Sequence, residues 1–95
     1  MTWYFFWSSC TFSNVNIRNE EYIKAFGNNL KELRTAKKIS RETLGAQAGI
    51  EAKQVYRIEV GETSPTISTV AAIANALGIH PKKLFDFEFE FRDEY

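Results

Sequence analysis

The chain has 95 residues, enough for one domain with its own core and too few for a second. Its 12 Lys/Arg balance its 12 Asp/Glu, but unevenly: residues 18–85 hold 11 basic against 7 acidic side chains, +4, and residues 86–95 hold 1 against 5, −4. A single cysteine, Cys10, excludes an internal disulfide framework, no His/Cys cluster has metal-ligand spacing, and the apolar start MTWYFFW is too short for a signal peptide or a membrane span. The expected setting is therefore reducing and cytoplasmic, with no metal, cofactor or membrane partner.

Residues 1–17 carry no charge, no clear period and many aromatic side chains. Three readings stand open for them: a strand that pairs or packs, a disordered extension, or an artefact of an upstream start site. From Asn19 the pattern turns helical, with Ile23, Phe26, Leu30 and Leu33 recurring at three- and four-residue steps to make one apolar stripe. Asn19 as cap, Glu20 and Glu21 in the first turn and Lys37 and Lys38 in the last predict a helix over 20–37. Ser40 caps a second helix over 41–48, which Gly49 ends in left-handed geometry. A third helix runs over 51–60 and stops at Gly61, and ETSPT (62–66) is a turn. Thr66 caps a fourth helix over 67–77, with Val70, Ile73, Ala74 and Leu77 inward and Gly78 closing it. Pro81 opens a short fifth helix over 81–85, which His80 caps or abuts.

Five helices with short links predict an all-α body. The tail differs. DFEFEFR (86–92) alternates strictly, with Phe87, Phe89 and Phe91 on one side and Asp86, Glu88, Glu90 and Arg92 on the other, the period of a half-buried β-strand. Such a strand must pair with residues 1–17 or with another chain, or fray. The chain thus divides into an aromatic extension (1–18), a helical domain (19–85) and an acidic, aromatic tail (86–95).

Residues 41–60 form one unit. Leu44, Ala48, Val55 and Ile58 give two helices facing apolar sides, Gly45 is small where they cross, and Gly49 supplies the positive φ of a tight joint. This is the layout of a helix-turn-helix. With FGNNLKELR at 26–34, ISRETLGAQAGI at 39–50, VYRIEVG at 55–61 and SPTISTVAAIANALGIHPKKLF at 64–85, the chain resembles the Xre/Cro–CI type helix-turn-helix domain of bacterial and phage repressors over roughly residues 26–85. The resemblance implies a five-helix, lambda-repressor-like fold, here with a short C-terminal β-strand tail. It also implies dimeric binding to double-stranded operator DNA, with the third helix in the major groove.

On that reading Val55 and Ile58 point inward while Lys53, Tyr56 and Arg57 point outward. Lys53 and Arg57 suit guanine O6/N7, Ala52 suits a thymine methyl, and Gln54 flanks the base readers. Ser40 and Arg41 stand at the start of helix 2, where free amides and the helix dipole favour a phosphate; Arg41 replaces the glutamine usual in the family and would clamp phosphate through charge. Arg34 and Glu59 match a partly buried salt bridge of the family that ties helix 1 to the end of helix 3. Three departures stand out: Gly45 in place of alanine, Glu51 and Glu62 near the DNA face, and a loop 62–66 without Lys or Arg.

The function expected is a sequence-specific transcriptional regulator, a repressor acting as a homodimer, with Phe87, Phe89 and Phe91 buried across the two-fold. The alternative is an antitoxin that binds a toxin protein and represses its own operon, and a third reading is an interaction module that has lost DNA binding. A controller of a restriction–modification system is a sub-case of the first. No phosphate-cradling glycine loop, paired carboxylates or nucleophile–histidine arrangement points to an enzyme.

Overall fold

The computed structural model describes residues 18–91. The aromatic segment 1–17 and residues 92–95 lie outside the described residues, and with them every reading of residues 1–17. Four α-helices follow in chain order, α1 (Glu20–Ala36), α2 (Arg41–Ala48), α3 (Ala52–Glu59) and α4 (Ile67–Leu77), and then a 3-10 helix, Pro81–Phe85. The expected fifth α-helix is thus a single 3-10 segment, and α3 is one residue shorter at each end than its pattern predicts.

The caps fall where the sequence puts them. Asn19, Ser40 and Thr66 accept from the backbone N–H of Tyr22, Thr43 and Thr69, and His80 Nδ1 accepts from the Lys82 N–H at 3.1 Å. Each α-helix then closes in the same way. A left-handed residue ends the last turn, and the N–H beyond it reaches back five residues: Ile39 to Arg34, Ile50 to Gly45, Glu62 to Arg57 and Ile79 to Ala74. In three of the four closures that last residue is an isoleucine tucked against the core. In α2, α3 and α4 the left-handed residue is glycine; in α1 it is Lys38, with φ 58°. An L-residue there costs about 1–2 kcal/mol, partly offset by the entropy glycine loses on folding. Lys38→Gly is therefore expected to stabilise the fold by about 0.5–1 kcal/mol, read as a rise in the urea midpoint; a fall would mean that the lysine side chain does more than solvate.

The core forms where the helical stripes meet. Leu30, Leu44, Val55, Ile58, Ile73 and Leu84 are all essentially sealed from solvent, each contributing about 1.5–3 kcal/mol of burial. Helix α2 packs on α3 and α4, α1 packs on α3, and the 3-10 helix closes the far side against α1 and α4. Asn29 of α1 ties that closure, its Nδ2 donating to the carbonyls of Lys83 and Leu84, both at 2.9 Å.

The tail corrects the strand expectation: no β-strand occurs among the described residues. The chain turns back at once, the Phe87 N–H donating to the Phe85 carbonyl at 3.0 Å. The rings of Phe87, Phe89 and Phe91 then gather around Tyr22 of α1, at centroid distances of 5.1, 4.9 and 5.6 Å. The alternation does put the three rings on one side. What makes a strand, however, is a second backbone to bond with, and α1 offers an aromatic ring instead.

Candidate nucleic-acid interface

Helix α3 owes its orientation to what it buries. Val55 and Ile58 point into the core, and Glu59 is buried beside them at 5% exposure. The opposite side carries Lys53, Gln54, Tyr56 and Arg57, all exposed, with Ala52 half-buried at the start. The proposed base readers therefore share the outer face of one helix. Glu51 precedes it as cap residue without a side-chain cap bond and stands exposed, so a negative charge borders the first turn.

The joint with α2 is built for close approach. Gly49 sits at φ 81°, which a side chain would strain. Within α2, Gly45 lies so near the chain entering α3 that a Cβ there would stand 2.7 Å from the Ile50 carbonyl oxygen. The glycine at 45 is required by contact, beyond the small residue that the sequence pattern asks for.

Sequence reasoning misses a second close approach. A Cβ on Gly27, mid-way along α1, would collide with the Ile58 carbonyl oxygen and stand 2.6 Å from that of Glu59. Helix α1 thus touches the end of α3 backbone to backbone. The available signal was glycine in a helix interior, which costs about 1 kcal/mol unless packing demands it.

Below the exposed face lies an ionic cluster. Arg34 Nε and Nη2 donate to the two Glu59 carboxylate oxygens at 2.6 and 3.2 Å, and Arg34 Nη1 donates to the Ile39 carbonyl at 2.8 Å. The side chains are 8% and 0% exposed, so the pair linking α1 to the end of α3 is fully inside. Arg41, the first residue of α2, joins them: its Nε donates to Glu59 Oε1 at 3.0 Å, and its guanidinium carbon stands 5.2 Å from the centroid of the Tyr56 ring. Ser40 is also engaged, its hydroxyl accepting from the Thr43 N–H and donating to Thr43 Oγ1, both at 3.0 Å. Both residues expected at a phosphate are therefore held by internal bonds in the DNA-free protein. The link from Arg41 to Glu59 joins α2 to α3 across 18 residues and leaves no periodic trace in the sequence.

Among the described residues no group of His, Cys, Asp and Glu is arranged to hold a metal, and no helix is long and apolar enough to cross a membrane.

The family model described as "Helix-turn-helix" matches residues 30–84. Among solved structures, the restriction-modification controller protein C.AhdI from Aeromonas hydrophila is 37% identical, with a TM-score of 0.66, over 70% of this chain and 100% of that one. ComR from Streptococcus suis is 28% identical, with a TM-score of 0.61, over 75% of this chain and 23% of that one. No curated protein sequence matches significantly. The family match spans more than half of the chain, and the joint of α2 and α3 lies inside it: this chain belongs to the helix-turn-helix family of the Xre/Cro–CI type, DNA-binding transcription regulators and not enzymes.

Proposed function

We propose that this protein is a sequence-specific repressor that binds a two-fold symmetric operator as a homodimer, with α3 in the major groove. The observation that carries this reading is the split of α3: Val55, Ile58 and Glu59 hold it down, and Lys53, Gln54, Tyr56 and Arg57 stand in a row on its open side. Lys53 and Arg57 read guanines, Ala52 a thymine methyl, and Gln54 and Tyr56 the flanking edges. Ser40 and Arg41 border the phosphates at the start of α2. The likeness to a restriction-modification controller over its full length supports a narrower version, in which the regulated genes belong to such a system.

One module of this size offers little interface, and two modules on half-sites about a helical turn apart supply the affinity. An apolar face suits the pairing. Ile67, 87% exposed, and Phe85 line an open cleft with Tyr22, Phe26 and Pro65, and Tyr22 also carries the rings of Phe87, Phe89 and Phe91. The same face favours a second reading, an antitoxin whose toxin covers it while α3 holds the operator.

The test is selection of sites from random duplex DNA, followed by titration of the winner at several salt concentrations. A symmetric site is expected, with Lys53→Ala and Arg57→Ala each losing about 1–3 kcal/mol of discrimination. An asymmetric site would remove the dimer. No enriched site, and binding indifferent to both changes, would remove the regulator.

A further inference from the structure

We propose that Arg41 is a positioning residue for base readout: anchored on the buried Glu59, it holds the Tyr56 ring in the pose in which that ring meets the operator. The inference rests on the regulator reading and assigns Arg41 a different task from clamping phosphate.

Three observations carry it. The first is the anchor. Glu59 is fully covered, and both its oxygens are already held by Arg34, itself fastened to the Ile39 carbonyl. An ordinary surface ion pair must order two long side chains and gains little by it. Here one partner is immobile, so the Arg41 Nε–Glu59 bond at 3.0 Å orders only the arginine.

The second is the stack. With Nε fixed, the guanidinium is set over the Tyr56 ring, 5.2 Å from its centroid. A guanidinium over a ring face is attractive, and its plane restricts the ring in a way that the point charge of lysine does not. Tyr56 is 48% exposed on the outer side of α3. Its rotamer is thus chosen before DNA arrives, and a ring ordered in advance discriminates better than one ordered on binding.

The third is the alternative cost. Turning the whole side chain onto a phosphate would break the Nε bond to the buried carboxylate and uncover the Tyr56 ring, so the anchored pose leaves only the outer Nη groups to face DNA. Glutamine, the residue usual in the family, is uncharged and offers no flat cation to hold a ring. Arginine at 41 and tyrosine at 56 therefore act as a pair.

The experiment compares wild type, Arg41→Gln, Arg41→Lys, Tyr56→Ala and the Arg41→Gln/Tyr56→Ala double variant. Each is titrated on the selected operator, on its single base-pair variants and over a range of salt. Arg41→Gln is expected to lose about tenfold in discrimination, or about 1.4 kcal/mol, at the base pair where Tyr56→Ala loses it. The double variant should lose no more than Tyr56→Ala alone, and Arg41→Lys should not restore the loss. The salt slope of Arg41→Gln should stay within about 0.3 of wild type.

Intact discrimination with a slope reduced by about 0.9, one phosphate contact, would overturn the proposal while leaving the regulator reading standing. Full discrimination in Arg41→Lys would overturn it too, since charge alone would then suffice. A wild-type protein that selects no operator would bring down the regulator reading and this inference together. A DNA-free check is independent of that outcome: the Arg41 side-chain protons should move downfield in Tyr56→Ala as the ring current is lost, and unchanged shifts would show that the two side chains do not stack.

Discussion

Glu59→Gln is expected to destabilise the fold by about 3–5 kcal/mol, although it changes one oxygen for one nitrogen. In the native protein the carboxylate takes three donors, two from Arg34 and one from Arg41. The amide offers one oxygen and turns an N–H group toward guanidinium groups that can only donate. Arg34, 8% exposed, would keep its charge without a counter-charge, and breaking one side of a buried pair has that cost. Against a total stability of about 5–15 kcal/mol, such a loss leaves the domain close to unfolding.

Urea titration at one fixed protein concentration measures it, because association would add to apparent stability. A loss under about 1 kcal/mol would mean that the bridge behaves as a surface pair. Arg34→Met added to Glu59→Gln should recover part of the loss, since an apolar side chain needs no counter-charge. A double variant worse than the single would show that the arginine's contact with the Ile39 carbonyl matters more than its charge.

Gly27→Ala is expected to be the second large effect, and its sign is the informative part. Propensity alone predicts a gain of about 1 kcal/mol for alanine within a helix. Sterics predict the opposite. The atoms that a Cβ would meet are the Ile58 and Glu59 carbonyls. Backbone cannot rotate aside as a side chain does, so α1 must move off α3. Overpacking of this kind costs about 1–3 kcal/mol or more. Because Arg34 lies two turns further along the same helix, the shift also stretches the bridge to Glu59.

We expect a net loss of about 2 kcal/mol, which in a domain of this size lowers Tm by about 10 °C. Asn28→Ala, one residue on and exposed, is the control and should raise stability by a few tenths of a kcal/mol. A Gly27→Ala protein as stable as the control would show that the two helices can part without cost.

Much of the helical framework was legible because its signals are local. Asn19, Ser40 and Thr66 cap what they are placed to cap, glycines follow α2, α3 and α4, and the apolar stripes of α1 and α4 point inward. A cap bond spans three residues and a stripe repeats every turn, so both are written in neighbouring letters. The same locality misled at the tail. Strict alternation from Phe87 to Phe91 has a strand's period, yet a strand depends on a partner backbone that no local pattern can supply.

By itself, then, the sequence determined four helices, their order, the tight joint at Gly49 and the outward row Lys53, Gln54, Tyr56 and Arg57, since each follows from spacing along one segment. Tertiary structure decided the rest. It brought Gly27 against the Ile58 carbonyl, tied Asn29 to the 3-10 helix, folded the aromatic tail onto Tyr22 and joined Arg41 to Glu59 and Tyr56. Those contacts join residues far apart in the chain. Their energies depend on distance and burial in three dimensions, which no periodicity encodes.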